Sequence, residues 1–267
     1  YTCQERWTAA AAAYQEALGT YRGLARVNPQ AYLSYVARTL NNLGNLYMVT
    51  QRIKEAEGAY QEGLGTYREL ARVNPDAYLP DVAMTLNNLG NLYSGTQRMK
   101  EAEAAYEEGL GIRRELARVN PEAYLPVVAG TLNNLGALYY ATQRMKEAEA
   151  AYQEGLGIYR ELSRVDPEAY LPYVAGTLNN LAVFYGATQR MKEAEGACRE
   201  AVEILESLWK AQPAVHGDQM ARTWWVLAEL IEPRDRVGAL ELLRRALGAA
   251  YAPVVRRGIE GLIAKWS

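Results

Sequence analysis

The sequence predicts an all-α solenoid, in which similar helix pairs stack side by side and no single globular core forms. A block of 46 residues recurs almost unchanged, and its opening Thr-Leu-Asn-Asn-Leu begins at Thr39, Thr85, Thr131 and Thr177. Within each block, apolar and small residues recur at helical spacing. A fixed period of this length is typical of stacked repeats, each of which buries its apolar face against its neighbours.

Each block predicts two helices joined by a short turn. In the unit 39–84, the spacing i, i+3, i+4, i+7 places these residues on one face of the first helix: Leu40, Leu43, Gly44 and Tyr47. The second helix, over 52–73, presents Ala56, Tyr60, Gly63 and Leu64 in the same way. Glycine inside a helix costs about 1 kcal/mol relative to alanine, so we expect Gly44 and Gly63 to mark close approaches between helices.

The junction between blocks is expected to be a loop. Asn74-Pro75 should end the second helix, because the residue before proline disfavours the helical region. An irregular segment Asn-Pro-x-Ala-Tyr-Leu should follow, with Pro80 in the first turn of the next helix.

These blocks divide residues 1–267 into the parts of one solenoid. An N-terminal half-repeat and linker (1–38) comes first, with the unpaired helix over 5–28. Four full repeats follow, then a degenerate repeat and a C-terminal capping helix predicted over 253–266. The four full repeats span 39–84, 85–130, 131–176 and 177–222. The degenerate repeat spans 223–249, and the C-terminal part with the capping helix spans 250–267.

The pattern Leu40-x2-Leu43-Gly44-x2-Tyr47, followed by Ala56-x3-Tyr60, resembles the tetratricopeptide repeat. The extended period and the Leu-Asn-Asn-Leu signature are similar to repeats of the kinesin light chain type. The resemblance implies a right-handed superhelical array of antiparallel helix pairs, with about twelve helices in all. It also implies that the first helices line a concave groove that binds peptides.

Composition excludes several other classes of function. The chain has 29 Lys and Arg residues and 31 Asp and Glu residues, which gives a net charge of -2. It therefore lacks the excess of positive charge that nucleic-acid binding requires. Cys3 and Cys198 lie far apart and outside any ligand motif, so we expect no metal, no cofactor and a reducing, cytoplasmic environment. No apolar run approaches the length that crosses a bilayer. His216, the single histidine, is expected in a surface turn, so no catalytic residue and no enzymatic activity are predicted.

Candidate binding residues emerge where the copies differ, beside a constant series of asparagines. They are Arg38, Asn41, Asn45, Met48, Asn87, Asn91, Asn133, Tyr140, Asn179, Val183, Arg222 and Trp225. Differences at these positions indicate either recognition or drift at sites that packing leaves unconstrained. The Asn41 series could clamp a peptide backbone or join neighbouring repeats, while the adjoining Asn42 series is expected nearer the helix seam. Trp225 could line the groove or belong to the core.

The predicted function is a scaffold or sensor module that holds a protein or peptide segment in its groove. The groove is polar near Arg38 and Asn45 and apolar near Val183 and Gly186, which would suit a ligand with one polar and one apolar end. The alternative is a regulatory region that acts on another domain of a larger bacterial protein. The unpaired N-terminal helix could also join two copies of the chain.

Overall fold

The repeats fold as consecutive antiparallel helix pairs. The computed structural model describes residues 3–267, and the side chains of residues 6–267. Within this range the chain forms twelve helices and no strand: α1 Cys3–Val27, α2 Pro29–Val49, α3 Ile53–Val73, α4 Pro75–Gly95, α5 Met99–Val119, α6 Pro121–Ala141, α7 Met145–Val165, α8 Pro167–Ala187, α9 Met191–Ala211, α10 Pro213–Ile231, α11 Arg236–Ala249 and α12 Pro253–Trp266. The all-α fold class is therefore confirmed, and a helix lies at the predicted position 253–266.

The helices group into two compact units, Tyr1–Leu138 and Tyr139–Ser267. In unit 1, each of α1 to α4 packs on the next helix, and the first helices α2 and α4 also touch. In unit 2, each of α7 to α11 packs on the next helix, while α10 additionally contacts α8 and α12. Each unit therefore buries its apolar faces through neighbouring repeats, as the period predicts.

Close helix packing within a repeat depends on glycine opposite tyrosine. A Cβ added to Gly44 would lie only 2.4 Å from Cε1 of Tyr60, and one added to Gly90 would lie 2.4 Å from Cε1 of Tyr106. Both tyrosine side chains are buried. The rings thus rest directly on the glycine backbone of the partner helix, which explains why glycine stands in the middle of α2 and α4.

The turn inside each of the four full repeats has the Schellman arrangement. The N–H of Arg52 donates to the carbonyl of Tyr47 at 2.8 Å, and that of Gln51 donates to Met48 at 3.1 Å. Gln51 adopts φ 59°, and the same left-handed conformation recurs at Gln97, Gln143 and Gln189. The Thr-Gln-Arg sequence is therefore the short turn that the pattern predicts.

The predicted loop between blocks is wrong. One residue, Asn74, separates α3 from α4, and its side-chain oxygen accepts from the N–H of Ala77 at 3.3 Å. Pro75 occupies the first helical position, where its missing N–H is not needed. Pro80 consequently lies inside α4 and not in its first turn. Each structural repeat begins at the proline equivalent to Pro75. Pro75 itself lies ten residues before the predicted boundary at Thr85.

The same error affects both ends of the array. The segment preceding Thr39, expected to be a linker, is the first half of α2. The degenerate repeat begins with α10 at Pro213, so His216 lies in the first turn of a helix and not in a surface turn. Its side chain is half-buried. Cys3 belongs to α1, but its side chain falls outside the described residues.

Candidate functional site

The first helix of each repeat separates into a buried face and an exposed face. Leu40, Leu43, Gly44 and Tyr47 are all buried in the first copy, as predicted. One position beyond Gly44 the side chain reaches solvent in every full copy, although its identity changes: Asn45, Asn91, Ala137 and Val183. The variable positions are thus solvent-accessible, while the constant apolar positions build the stack.

Asn41 does not belong to the exposed face. Its side chain is 2 % exposed, and its amide Nδ2 donates to Oγ1 of Thr85 in the next repeat at 2.6 Å. The Thr85 hydroxyl itself donates to the carbonyl of Asp81 at 2.8 Å. The expectation that Asn41 faces a ligand is therefore wrong, because the residue joins two repeats. The neighbouring Asn42, expected nearer the seam, is half-buried.

Asn87 lies in a lateral network across unit 1. Nδ2 of Asn134 donates to Oδ1 of Asn87 at 3.2 Å and to Oδ1 of Asn91 at 3.4 Å. Nη1 of Arg113 reaches the same Asn87 oxygen at 3.4 Å. Asn87 and Asn133 are half-buried in unit 1, as is Asn179 in unit 2. Their predicted contact with a ligand remains a prediction.

Asn45 and Asn91 are held in place while their amide groups stay exposed. The hydroxyl of Tyr60 donates to Oδ1 of Asn45 at 2.7 Å, and the hydroxyl of Tyr106 donates to Oδ1 of Asn91 at 2.7 Å. Burial raises the pKa of each tyrosine to about 12, so both hydroxyls remain protonated donors at neutral pH. Because Oδ1 of each asparagine already accepts from a tyrosine hydroxyl, its Nδ2 group is the group left to donate to a partner.

Charged side chains lie at one end of the exposed face of unit 1. The guanidinium of Arg38 lies 4.9 Å from the ring centre of Tyr35, and both side chains are exposed. Burial raises the pKa of Asp81, and the positive charge of Arg38 partly offsets that rise. Met48 is half-buried at the other end of α2.

Arg113 is a residue that the sequence reasoning missed. It is 8 % exposed, and its Nη1 donates to Oγ1 of Thr131 and, at 3.3 Å, to the carbonyl of Val127. The equivalent position holds tyrosine in three other second helices, at Tyr21, Tyr67 and Tyr159, and leucine in α9, at Leu205. That single exchange of tyrosine for arginine was the signal available in the sequence. It brings a buried cation close to the asparagine network.

The exposed face of unit 2 is more apolar. Val183 is 44 % exposed, and the half-buried ring of Tyr140 meets Phe184 edge-on at 6.2 Å between centroids. Arg222 is exposed on α10. Trp225 is half-buried against α12: a Cβ added to Gly258 would lie 2.3 Å from its Cη2 atom. This position favours the packing role of Trp225 over the ligand-binding one.

The described side chains contain no group of three or more His, Cys, Asp or Glu residues arranged to hold a metal ion. Cys198, which replaces the tyrosine of the other second helices, is buried, and its burial raises the pKa of the thiol to about 12. Across the part of the chain that the structure describes, every helix is too short or too polar to cross a bilayer.

Two family models match the repeats, and both describe the tetratricopeptide repeat. One matches residues 35–115, and the other matches 128–166 and 174–208, so together they cover more than half of the chain. The chain belongs to the tetratricopeptide repeat family. Tetratricopeptide repeats form protein-interaction scaffolds in general and are typically not catalytic. A search of curated proteins finds no match.

Solved tetratricopeptide structures share the fold. BtubC (BKLC) from P. vanneervenii is similar with a TM-score of 0.67 and 23 % identity, over 99 % of this chain and 93 % of that chain. The apo form of RapI has a TM-score of 0.65 and 14 % identity, over 86 % and 74 % of the two chains. A putative kinesin light chain from Podosopora anserina has a TM-score of 0.59 and 16 % identity, over 81 % and 95 %.

Proposed function

We propose that the exposed faces of the first helices capture an extended segment of a partner protein. The observation that carries the proposal is the separation of constant buried positions from variable exposed ones. Leu40 and Gly44 keep their identity or size from copy to copy, whereas position 45 and its equivalents change from asparagine to alanine and valine. Recognition needs such differences between copies, because identical faces could not distinguish one part of a ligand from another.

In unit 1 the proposed contacts are polar. Asn45 and Asn91 offer amide donors to the backbone carbonyls of an extended segment, independently of its side chains. Arg38 offers a charge for an acidic group. The half-buried Met48 and Asn87 complete the proposed surface in unit 1.

In unit 2 the proposed contacts are mainly apolar. Val183 and Tyr140 supply accessible hydrophobic surface, and Arg222 supplies an exposed charge in the middle of α10. Most of the binding free energy is expected to come from a few such anchors rather than from the whole surface.

The test uses a peptide selected from a random display library on the wild-type chain. Its affinity is measured by fluorescence polarisation for Asn45→Asp combined with Asn91→Asp. Aspartate keeps the oxygen that accepts from Tyr60 or Tyr106 but removes the amide donor, so the packing beneath is preserved. We expect affinity to fall about tenfold or more, since two donors to a partner are lost.

The matched control is Arg72→Ala, which removes an exposed side chain from the last turn of α3. This control should leave the affinity within about twofold of wild type, as a surface change outside the site. Equal binding by wild type and the double variant, with unchanged circular dichroism, would refute the proposed role of the asparagines.

We also propose that α1 can mediate contact between two copies of the chain. Tyr14 of α1 is 36 % exposed, whereas the equivalent Tyr60 is 2 % exposed, and Leu24 of α1 is 39 % exposed. An apolar helix face of this kind favours association. Sedimentation equilibrium should show a dimer that Tyr14→Glu dissociates; a wild-type monomer at high concentration contradicts the proposal.

A further inference from the structure

A four-residue network recurs where one repeat meets the next. In unit 1, Nη1 of Arg98 donates to both oxygens of Glu57 at 2.8 Å, and its guanidinium lies 4.3 Å from the ring centre of Tyr93. The same carboxylate also accepts from Nε2 of Gln61, at 3.1 Å. The network thus consists of glutamate, glutamine, tyrosine and arginine.

The glutamine of this network holds two of its other members. Nε2 of Gln61 donates to Oε1 of Glu57 at 3.1 Å and to the hydroxyl of Tyr93 at 3.2 Å. Unit 2 repeats the arrangement, with Arg190 donating to Glu149 at 2.8 Å and lying 4.3 Å from the ring centre of Tyr185. Gln153 again donates to both the glutamate and the tyrosine, at 3.2 Å each.

At the junction of α1 and α2 the same network is built without its carboxylate. Arg52 lies 4.2 Å from the ring centre of Tyr47, and Nε2 of Gln15 donates to the Tyr47 hydroxyl at 2.9 Å. The position equivalent to Glu57 is Ala11, which has no acceptor in its side chain. Three of the four groups therefore stand in place, and the fourth is replaced by a methyl group.

The replacement leaves room for a ligand. A cavity of about 690 Å³ lies at this junction, and Trp7, Ala11, Ala12, Gln15, Leu46 and Arg52 are among the residues that line it. Ala12 is equivalent to Gly58 and Trp7 to Ile53. Val49 is the residue that the cavity shares with the exposed face of α2. The lining therefore combines apolar side chains with the guanidinium of Arg52 and the amide of Gln15.

Arg52, the arginine at this junction, has fewer carboxylate partners than the equivalent Arg98. Arg98 binds two carboxylates, those of Glu57 and Glu101. Arg52 binds Glu55 through Nε at 3.1 Å, and among the described residues it has no partner in the place of Glu57. The side chain of Arg52 is 43 % exposed, so its charge is accessible from solvent.

We propose that this cavity binds an acidic side chain, glutamate or aspartate, of a peptide segment from a partner protein. The carboxylate accepts from Arg52 and Gln15, as Glu57 does from Arg98 and Gln61. An adjacent aliphatic side chain of the same segment packs on Trp7 and Leu46. One guanidinium and one amide match the single charge of a carboxylate. The site does not depend on the proposed capture of a segment by the first-helix faces.

The test follows the indole signal of Trp7 by nuclear magnetic resonance in the ¹⁵N-labelled chain. The probes are the blocked peptides acetyl-Ala-Leu-Glu-Leu-Ala-amide and its glutamine analogue. The glutamate peptide should shift the Trp7 signal saturably, and the glutamine peptide should bind about tenfold more weakly, because a charged hydrogen bond is lost. Trp7→Phe assigns the signal.

Three variants locate the effect. Ala11→Glu supplies the missing carboxylate from within the chain and should abolish binding of the glutamate peptide. Arg52→Gln removes the cation and should weaken binding to the level of the glutamine peptide. Arg98→Gln is the matched control, since it changes the occupied version of the network, and it should leave binding unchanged.

The proposal is overturned by any of three results. The first is the absence of a saturable shift at about 5 mM peptide, a concentration that detects even millimolar affinity. The second is equal affinity for the two peptides, and the third is undiminished binding of the glutamate peptide by Arg52→Gln. Circular dichroism establishes whether Ala11→Glu is folded; if it is not, the Arg52→Gln result decides alone.

Discussion

The contact between Gly90 and Tyr106 makes a sharp prediction about packing. A Cβ at position 90 would lie 2.4, 2.5 and 2.9 Å from three atoms of the Tyr106 ring. Ordinary carbon contacts begin about 1 Å farther apart, so Gly90→Ala must displace a buried ring whose hydroxyl donates to Asn91 at 2.7 Å.

The expected magnitude combines opposing effects. Overpacking costs about 1–3 kcal/mol, and loss of the Tyr106 hydrogen bond adds about 1 kcal/mol. Alanine in place of a helical glycine returns about 1 kcal/mol. Gly90→Ala should therefore lower the free energy of unfolding by about 1–3 kcal/mol, the overpacking range left when the other two effects cancel. Gly111→Ala is the matched control: it lies in α5 with no atom within 4 Å of an added Cβ, so it should stabilise.

The fourth copy of the repeat shows how the strain can be relieved. There Ala182 replaces the glycine and Cys198 replaces the tyrosine, and both are fully buried. The larger first-helix residue is thus paired with a smaller second-helix residue. We expect Gly90→Ala and Tyr106→Cys to be coupled, with the double variant more stable than the sum of the single effects by about 1 kcal/mol or more.

Urea denaturation followed by circular dichroism measures the four members of this cycle. Repeat arrays can unfold in parts, so the comparison uses the midpoint of the transition involving α4 and α5, reported by hydrogen exchange of their amides. Additivity of the two substitutions, or equal stabilisation by alanine at positions 90 and 111, would refute the packing explanation.

Three further predictions concern buried polar groups. Asn41→Ala should lower the free energy of unfolding, measured by thermal or urea denaturation, by about 1–2 kcal/mol, because it removes the hydrogen bond to the next repeat. Asn180→Ala, at an exposed position, should change it by less than about 0.5 kcal/mol. Equal effects of the two substitutions would contradict the buried position of Asn41. Burial raises the pKa of Tyr106 from 10.0 to about 12, so the contribution of this tyrosine to stability should be complete below pH 10 and lost as the pH rises toward 12. Tyr106→Phe should reduce this loss of stability at high pH. An identical pH profile of stability in the variant and the wild type would count against the burial effect. In a Cys3→Ser background, Cys198 should react with a thiol reagent only at the rate of local or global unfolding, because it is buried and its pKa is raised to about 12; rapid labelling of the native chain would contradict this.

Much of the fold could be predicted because the repeat multiplies every local signal. The face formed by Leu40, Leu43, Gly44 and Tyr47 recurs in four copies, and its burial is what the spacing indicates. The second helix, predicted over 52–73, is observed as Ile53–Val73. The C-terminal helix Pro253–Trp266 was predictable from its amphipathic pattern.

The junctions could not be predicted from the prolines alone. Pro75 both ends one helix and begins the next, because Asn74 serves at once as the C-cap of α3 and the N-cap of α4. Pro80 lies within α4 despite the cost that proline carries inside a helix. A rule that treats proline as a boundary therefore extends the loop by several residues.

The candidate site was harder to predict because adjacent helical residues differ by only about 100° in direction. That uncertainty is enough to exchange Asn41, which is buried, with Asn42, which is half-buried. Hydrogen bonds such as those of Asn45 to Tyr60 depend on the distance between two helices, which the sequence does not specify. Trp225 packs on Gly258, a contact between elements separated by α11.

Photo-crosslinking tests the central claim, that the exposed first-helix faces recognise a partner segment, most directly. The peptide selected by display carries a diazirine residue, and the crosslinked side chains are identified by mass spectrometry. Crosslinks are expected at Arg38, Asn45 or Asn91 in unit 1, or at Val183 in unit 2, all of which are exposed. Crosslinks confined to the second helices α3, α5, α7 and α9 would contradict it.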